Sequence, residues 1–205
     1  MTNTRIGVLG GTFNPVHLGH LILAQDALEI FELDQVIFVP CDKPPHKDAS
    51  YVIPATHRLA MLQMALKGNP AFDICDLELR RGGTTYTVDT MRALTRRYQN
   101  VELVFIIGSD TLAELHLWKE IDALLNLCRF VTLARPGFDL NTFTEEKLKL
   151  PSPWPQTLLR QVAQGHVVEI SSSDIRHRAA EDMRIRYLVP SPVELYIAEH
   201  NLYTG

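Results

Sequence analysis

The apolar positions of this chain follow two alternating rhythms. Short runs rich in Val, Ile and Phe at 6–9, 35–39, 101–107, 130–133 and 166–170 read as strands buried on both faces. Between them, residues 18–31, 57–66, 88–97 and 118–127 place apolar side chains three and four apart, the spacing of one helix face. Strand and helix alternate, which predicts an α/β fold with a doubly wound, mostly parallel sheet covered by helices on both sides. Two stretches break the rhythm. Residues 41–55 carry three prolines and no period, predicting a long loop after the second strand. Residues 136–155 predict a surface excursion or loosely packed subdomain, with PSPWP at its end as a lead-in to a helix. No repeat, low-complexity tract or linker divides the 205 residues, so 1–205 reads as a single domain.

Composition narrows the function classes. Hydrophobic residues make up 46% and charged residues 21%, the usage of an ordinary globular protein rather than a disordered or fibrous one. The first strand-like run starts at residue 6, which leaves no room for a signal peptide, and no segment approaches the roughly 18 apolar residues of a membrane span. Cys41, Cys75 and Cys128 form no CxxC and no even framework, so free thiols in a reducing cytoplasm are expected. A net charge of −4 excludes a protein that coats nucleic acid nonspecifically, because counterion release needs a broad basic surface. A small polyanion needs only a local cationic pocket, and Lys43, His46, Lys47, Arg135 and Arg176 lie in predicted loops or at element ends.

The chemistry concentrates in GGTFNPVHLGH, residues 10–20, which runs on from the first strand. In a parallel sheet, ligands sit beyond the carboxyl ends of the strands, where the next helix points its unpaired N–H groups. Gly10 and Gly11 permit positive φ and a close approach to the backbone, and Pro15 stiffens the turn. Gly10, Gly11, Thr12 and Phe13 then offer N–H groups, and Thr12 a hydroxyl, to a phosphate. His17 and His20, three apart, share one face of the first helical turn, as donors to a phosphate under attack or as a metal pair. No carboxylate or thiolate at convincing spacing completes a zinc site, so no metal ligand is assigned. The Walker ending GK[ST] and the dinucleotide fingerprint GxGxxG are both absent, which weakens a hydride-transferring reading.

Later segments add candidates at other strand ends. ISSSDIR, residues 170–176, has serines able to cap a helix and Arg176 one turn in, near exposed N–H groups, so that Ser172, Ser173 and Arg176 suit phosphate oxygens. TYTVDT opens a helix at Tyr86 and Thr87, whose N–H groups suit a carboxylate. Gly108 and Asp110 follow the 101–107 strand, where Asp110 either orients ribose hydroxyls or caps the next helix. Arg135 ends another strand and suits a further phosphate.

The order GGTFNPVH, KPPHK, TYTVDT, IIGSD, a nearby tryptophan, ARPG and ISSSDIR covers nearly the whole chain. It resembles the bacterial nicotinate-nucleotide adenylyltransferases, within the nucleotidyltransferase superfamily marked by HxGH and an ISST-like motif. The resemblance implies a Rossmann-like nucleotidyltransferase fold and transfer of AMP from ATP to nicotinate mononucleotide in NAD biosynthesis. It further implies direct attack on the α-phosphorus with Mg²⁺ on the phosphates, catalysis by His17 and His20, and closure of His46 and Lys47 over the phosphates. Tyr86 and Thr87 would recognise nicotinate, and Trp118 would stack on the pyridine ring; by itself Trp118 equally reads as a packing residue. This chain departs from the family at Asn14, where Asp is common, and at Ser173, where Thr is common. Other readings stay open: nicotinamide mononucleotide or phosphopantetheine as acceptor, a dinucleotide-dependent oxidoreductase, or a noncatalytic nucleotide sensor.

Overall fold

The computed structural model describes residues 4–43, 52–134 and 144–204. In chain order the elements are β1 (Thr4–Gly11), α1 (Leu18–Ile30), β2 (Gln35–Pro40), α2 (Ala55–Leu66), β3 (Phe72–Ile74), α3 (Leu77–Arg81), α4 (Thr87–Arg97), β4 (Val101–Gly108), α5 (Ser109–Leu112), α6 (Ile121–Leu127), β5 (Arg129–Ala134), α7 (Glu145–Leu148), α8 (Trp154–Leu159), β6 (Val162–Gln164), α9 (Ser172–Ala180) and α10 (Ser191–Glu199). The strands form one six-stranded sheet in the order β3-β2-β1-β4-β5-β6. Thr4 pairs with Val101, Val104 with Arg129 and Thr132 with Val162, all in parallel ladders. This is the doubly wound order that the alternating runs predict, with its reversal between β1 and β4.

The chain divides into two compact units. The first takes the residues up to Leu9, Leu23–Ile37 and Tyr86–Val168; the second takes Gly10–Ile22, Phe38–Thr85 and the residues from Glu169 onward. In the first, Leu103–Ile107 of β4 are buried without a break, as a central parallel strand requires. Helix α4 buries Val88, Met91 and Leu94, three apart along one face, and places Asp89 in its first turn and Arg96 and Arg97 in its last, complementing the helix dipole. Each such apolar side chain contributes about 1.5–3 kcal/mol by leaving water. In the second unit, Phe38 meets Phe13 at 5.8 Å and Phe72 at 5.3 Å between ring centroids. Met61, Leu62, Ile175 and Val193 are fully buried there.

The elements differ from the pattern-based reading in identifiable places. The expected strand at 166–170 forms no ladder, which runs instead through Val162–Gln164. The His166 N–H, which a ladder would use, donates to Asp26 Oδ2 at 2.7 Å, and His166 Nδ1 meets Asp26 Oδ1 at 2.6 Å. The helix expected at 118–127 starts at Ile121, because Trp118 is extended and Glu120 left-handed with φ of 50°. Strand β3 is only three residues long, and α10 hides its apolar period behind two buried positions, Val193 and Ile197. PSPWP does lead into a helix, α8, which begins at Trp154. Of the loop expected at 41–55, the described part is free of helix up to Pro54, and α2 begins at Ala55.

Candidate active site

Strand β1 ends at Gly11 and hands the chain to a loop that enters α1 at Leu18. The left-handed backbone expected at Gly10 or Gly11 falls instead on Phe13, with φ of 48°. Gly11 matters sterically. A Cβ there would lie 2.9 Å from the Phe13 ring, which is itself 1% exposed. The loop thus turns over its own buried aromatic, and the second glycine of GG leaves room for it.

His17 and His20 are brought face to face, with ring centroids 3.7 Å apart and planes tilted by 32°. Gly19 is the reason the spacing works, since a Cβ at that position would sit 3.0 Å from His17 Nδ1. The His17 backbone N–H donates to His20 Nδ1 at 3.2 Å. That bond makes Nδ1 an acceptor, so the proton of a neutral His20 sits on Nε2, which becomes the donor. Phe13 meets His20 edge-on at 5.0 Å and fixes the ring from another side. His17 is 6% exposed, whereas His20 is half-buried.

The back of this loop is held by side chains from elsewhere in the same unit. Ser171 caps α9 by accepting the Asp174 N–H at 3.1 Å, and its Oγ lies 3.0 Å from that of Ser173. Ser172 donates to the Pro15 carbonyl at 2.9 Å, and Arg176 Nη1 to the Asn14 carbonyl at 2.8 Å. ISSSDIR and GGTFNPVH therefore meet directly. Asn14 Oδ1 accepts from the Tyr203 hydroxyl at 3.0 Å and the Ile53 N–H at 3.4 Å. Burial raises the Tyr203 phenol well above its ordinary range, so it stays a donor. Thr12 Oγ1 accepts from the Cys41 thiol at 3.6 Å.

Arg58 was not among the sequence candidates, yet among the described residues it is the largest fully buried side chain, at 1% exposure. Its mark in the sequence is slight: near the start of the 57–66 pattern, it is a charged residue three and four positions before Met61 and Leu62, on the buried face. Burial lowers its pKa, while Cys41, Asp42 and Tyr203 pull it back up.

The candidates for the acceptor nucleotide lie in the other unit. Tyr86 is the extended residue preceding α4, and Thr87 starts that helix. Gly108 ends β4, and Asp110 lies exposed in the short α5. Trp118 is half-buried and packs edge-on against Phe105 at 5.9 Å and Phe130 at 6.4 Å. Lys119 Nζ stands 4.3 Å above the Tyr86 ring and 3.5 Å from Asp89. Arg92 reaches Glu120 at 2.5 Å, a pairing that raises the Arg92 pKa and depresses that of Glu120, in both chiefly through the hydrogen bond. These contacts tie the Trp118 segment to the helix that begins with Tyr86 and Thr87. His46, Lys47 and Arg135 lie outside the described residues. Among the described residues, no group of three or more His, Cys, Asp or Glu side chains is disposed to hold a metal ion, and no helix is long and apolar enough to cross a membrane.

Residues 8–178 match the cytidylyltransferase-like family. A protein of Symbiobacterium thermophilum named "Probable nicotinate-nucleotide adenylyltransferase" is 44% identical over 200 residues, covering 97% of this chain and 95% of that protein. One of the same name from Thermomicrobium roseum is 43% identical over 200 residues, covering 98% and 92%. Among solved structures, Plasmodium falciparum nicotinic acid mononucleotide adenylyltransferase complexed with NaAD has a TM-score of 0.77 at 20% identity, covering 98% of this chain and 97% of that one. The same enzyme complexed with APC has a TM-score of 0.75 at 19% identity, with the same coverage. At that identity these two likenesses concern the fold.

Proposed function

We propose that this chain, which belongs to the cytidylyltransferase-like family, transfers AMP from ATP to nicotinate mononucleotide, releasing pyrophosphate and forming nicotinate adenine dinucleotide for NAD biosynthesis. The observation that carries the transfer chemistry is the pair of imidazoles with centroids 3.7 Å apart, with His20 held in the tautomer that donates from Nε2, beside a loop with a left-handed Phe13. The names of relatives 43–44% identical along almost the whole chain supply the acceptor.

The reaction is a displacement at phosphorus. A phosphate oxygen of the acceptor attacks the α-phosphorus of ATP, a new P–O bond forms, and the bond to the β-phosphate oxygen breaks to release pyrophosphate. No covalent enzyme intermediate is needed, so catalysis rests on alignment and charge stabilisation. His17 and His20 donate to the nonbridging oxygens of the α-phosphate as their charge develops. The N–H groups of Gly10, Gly11 and Phe13 and the Thr12 hydroxyl cradle the phosphates. Ser172, Ser173 and Arg176 take the β- and γ-phosphates, with His46 and Lys47 closing over them. Arg176 spends Nη1 on the Asn14 carbonyl, which couples the grip on the departing pyrophosphate to the shape of the loop.

The N–H groups at Tyr86 and Thr87 receive the nicotinate carboxylate, Trp118 covers the pyridine ring, Gly108 and Asp110 hold the ribose, and Arg135 meets the acceptor phosphate. Mg²⁺ bound with ATP would neutralise charge on the triphosphate, and no side chain of this chain is assigned to hold it. A cytoplasmic location fits these soluble substrates.

Pyrophosphate release measured with ATP, Mg²⁺ and each of nicotinate mononucleotide, nicotinamide mononucleotide and phosphopantetheine tests the reading. The nicotinate form is expected to turn over at least about tenfold faster than the others, as a site built for a carboxylate discriminates against an amide. Equal rates with the amidated nucleotide would overturn the acceptor assignment, and no release with any acceptor would overturn the reaction.

A further inference from the structure

Arg58 enters from the first turn of α2, and its guanidinium donates to four backbone carbonyls. Nη1 donates to Thr12 and to Cys41, both at 2.7 Å, Nη2 donates to Asp42 at 3.2 Å, and Nε donates to Ile53 at 3.2 Å. Three stretches that are distant in sequence converge on one planar fork: the loop after β1, the segment after β2, and the lead-in to α2. Burying a guanidinium is costly unless its donors are satisfied, and an apolar side chain of similar length fills the same volume without that cost. The fork geometry is therefore what the position uses.

Its bond to Thr12 has a directional consequence. The peptide joining Thr12 to Phe13 is planar, with the carbonyl oxygen and the N–H on opposite edges. Fixing the Thr12 oxygen on Arg58 sends the Phe13 N–H the other way, and it does so at the one residue of this loop whose φ, 48°, is disfavoured for a side chain other than glycine. Cys41 is held in the same grip, and its N–H also donates to the Gly11 carbonyl at 2.9 Å, so the two strand ends flanking the loop are locked together.

We infer that Arg58 is a positioning residue for ATP: by clamping the Thr12, Cys41, Asp42 and Ile53 carbonyls from behind, it orients the Phe13 N–H toward the triphosphate without touching the nucleotide. The inference rests on the phosphate-binding reading of the loop proposed above. It does not depend on which acceptor the enzyme uses.

The test compares Arg58→Lys, Arg58→Met and Arg58→Ala with the wild type, using calorimetric titration with a nonhydrolysable α,β-methylene ATP analogue and no acceptor. Variants that keep the wild-type circular dichroism are expected to bind the analogue at least about tenfold more weakly, since a lysine ammonium cannot span four carbonyls. The KM for the acceptor nucleotide should stay within about twofold, and millimolar methylguanidinium should restore part of the analogue affinity of Arg58→Ala. Folded variants that bind the analogue as the wild type does would overturn the inference, as would a parallel weakening of analogue and acceptor. A second readout needs no variant. In ¹⁵N-labelled wild type, the Phe13 amide resonance should shift on adding the analogue, and an unmoved Phe13 amide in a protein that binds the analogue would overturn the inference. Wild type that binds the analogue but transfers AMP to no acceptor would instead sink the proposed reaction and leave the role of Arg58 standing.

Discussion

Replacing His20 by asparagine and, separately, by glutamine divides the two jobs its ring performs. Asparagine keeps an acceptor near Nδ1, where the His17 N–H donates at 3.2 Å, but it cannot reach the place of Nε2. Glutamine extends an amide N–H to that place and gives up the acceptor. If the Nε2 donor stabilises charge at the α-phosphate, its loss costs about 2.7–4 kcal/mol, or roughly 10²–10³-fold in kcat. The stability cost is smaller. His20 is half-buried and loses its contacts with Phe13 at 5.0 Å and His17 at 3.7 Å, which are worth about 0.5–1.5 kcal/mol each. A fall of about 2–12 °C in Tm follows for a chain of this size. Pyrophosphate release and thermal melts on the same samples are the assay. His20→Asn should be as inactive as His20→Ala, and His20→Gln should retain activity at least about tenfold above both. Asparagine outperforming glutamine, or activity that tracks Tm across the three variants, would refute the tautomer argument.

Other perturbations have equally definite outcomes. Asp26→Ala removes two bonds to His166, at 2.7 and 2.6 Å, and should lower the urea midpoint by an amount corresponding to about 2–3 kcal/mol after the relief of the buried carboxylate; a change below about 0.5 kcal/mol would contradict a stabilising role for these two bonds. Glu120, held below its ordinary carboxylate range by Arg92, contributes stability above its unfolded pKa and loses it as pH falls through the folded value, so Arg92→Ala should raise the Glu120 pKa seen by NMR; no rise would break the pairing. Burial pushes the Cys128 thiol up to about 12, and an aromatic disulfide reagent at pH 8 should leave it unlabelled in folded protein; rapid labelling without unfolding would contradict that.

Strands β1, β2, β4 and β5 were legible because they are continuous apolar runs, whereas β3 is the three-residue FDI and β6 the three-residue VAQ; four helices were legible because 18–31, 57–66, 88–97 and 118–127 place apolar side chains at helical spacing. What escaped was set by tertiary contacts. HVVEI at 166–170 has better strand composition than VAQ at 162–164, but Asp26 on α1 claims the His166 N–H and the ladder stops short. The onset of α6 was displaced by Glu120, which turns left-handed and pairs with Arg92. At the loop, GGTFNPVHLGH announced its chemistry through residue types, while the division of labour within it was invisible. Periodicity does not tell that Gly11 and Gly19 accommodate the rings of Phe13 and His17, or that Ser171 caps α9 while Ser172 turns to the Pro15 carbonyl. Arg58 escaped altogether, because its partners are carbonyls and backbone carbonyls carry no sequence signature.

The central claim is that ATP's α-phosphate is gripped by the loop after β1 and its paired imidazoles. A crystal structure with the α,β-methylene ATP analogue and nicotinate mononucleotide bound tests it most directly. The account predicts α-phosphate oxygens about 2.7–3.2 Å from His20 Nε2 and the Phe13 nitrogen. A triphosphate bound away from this loop, or His20 turned so that Nδ1 faces the phosphate, would contradict it.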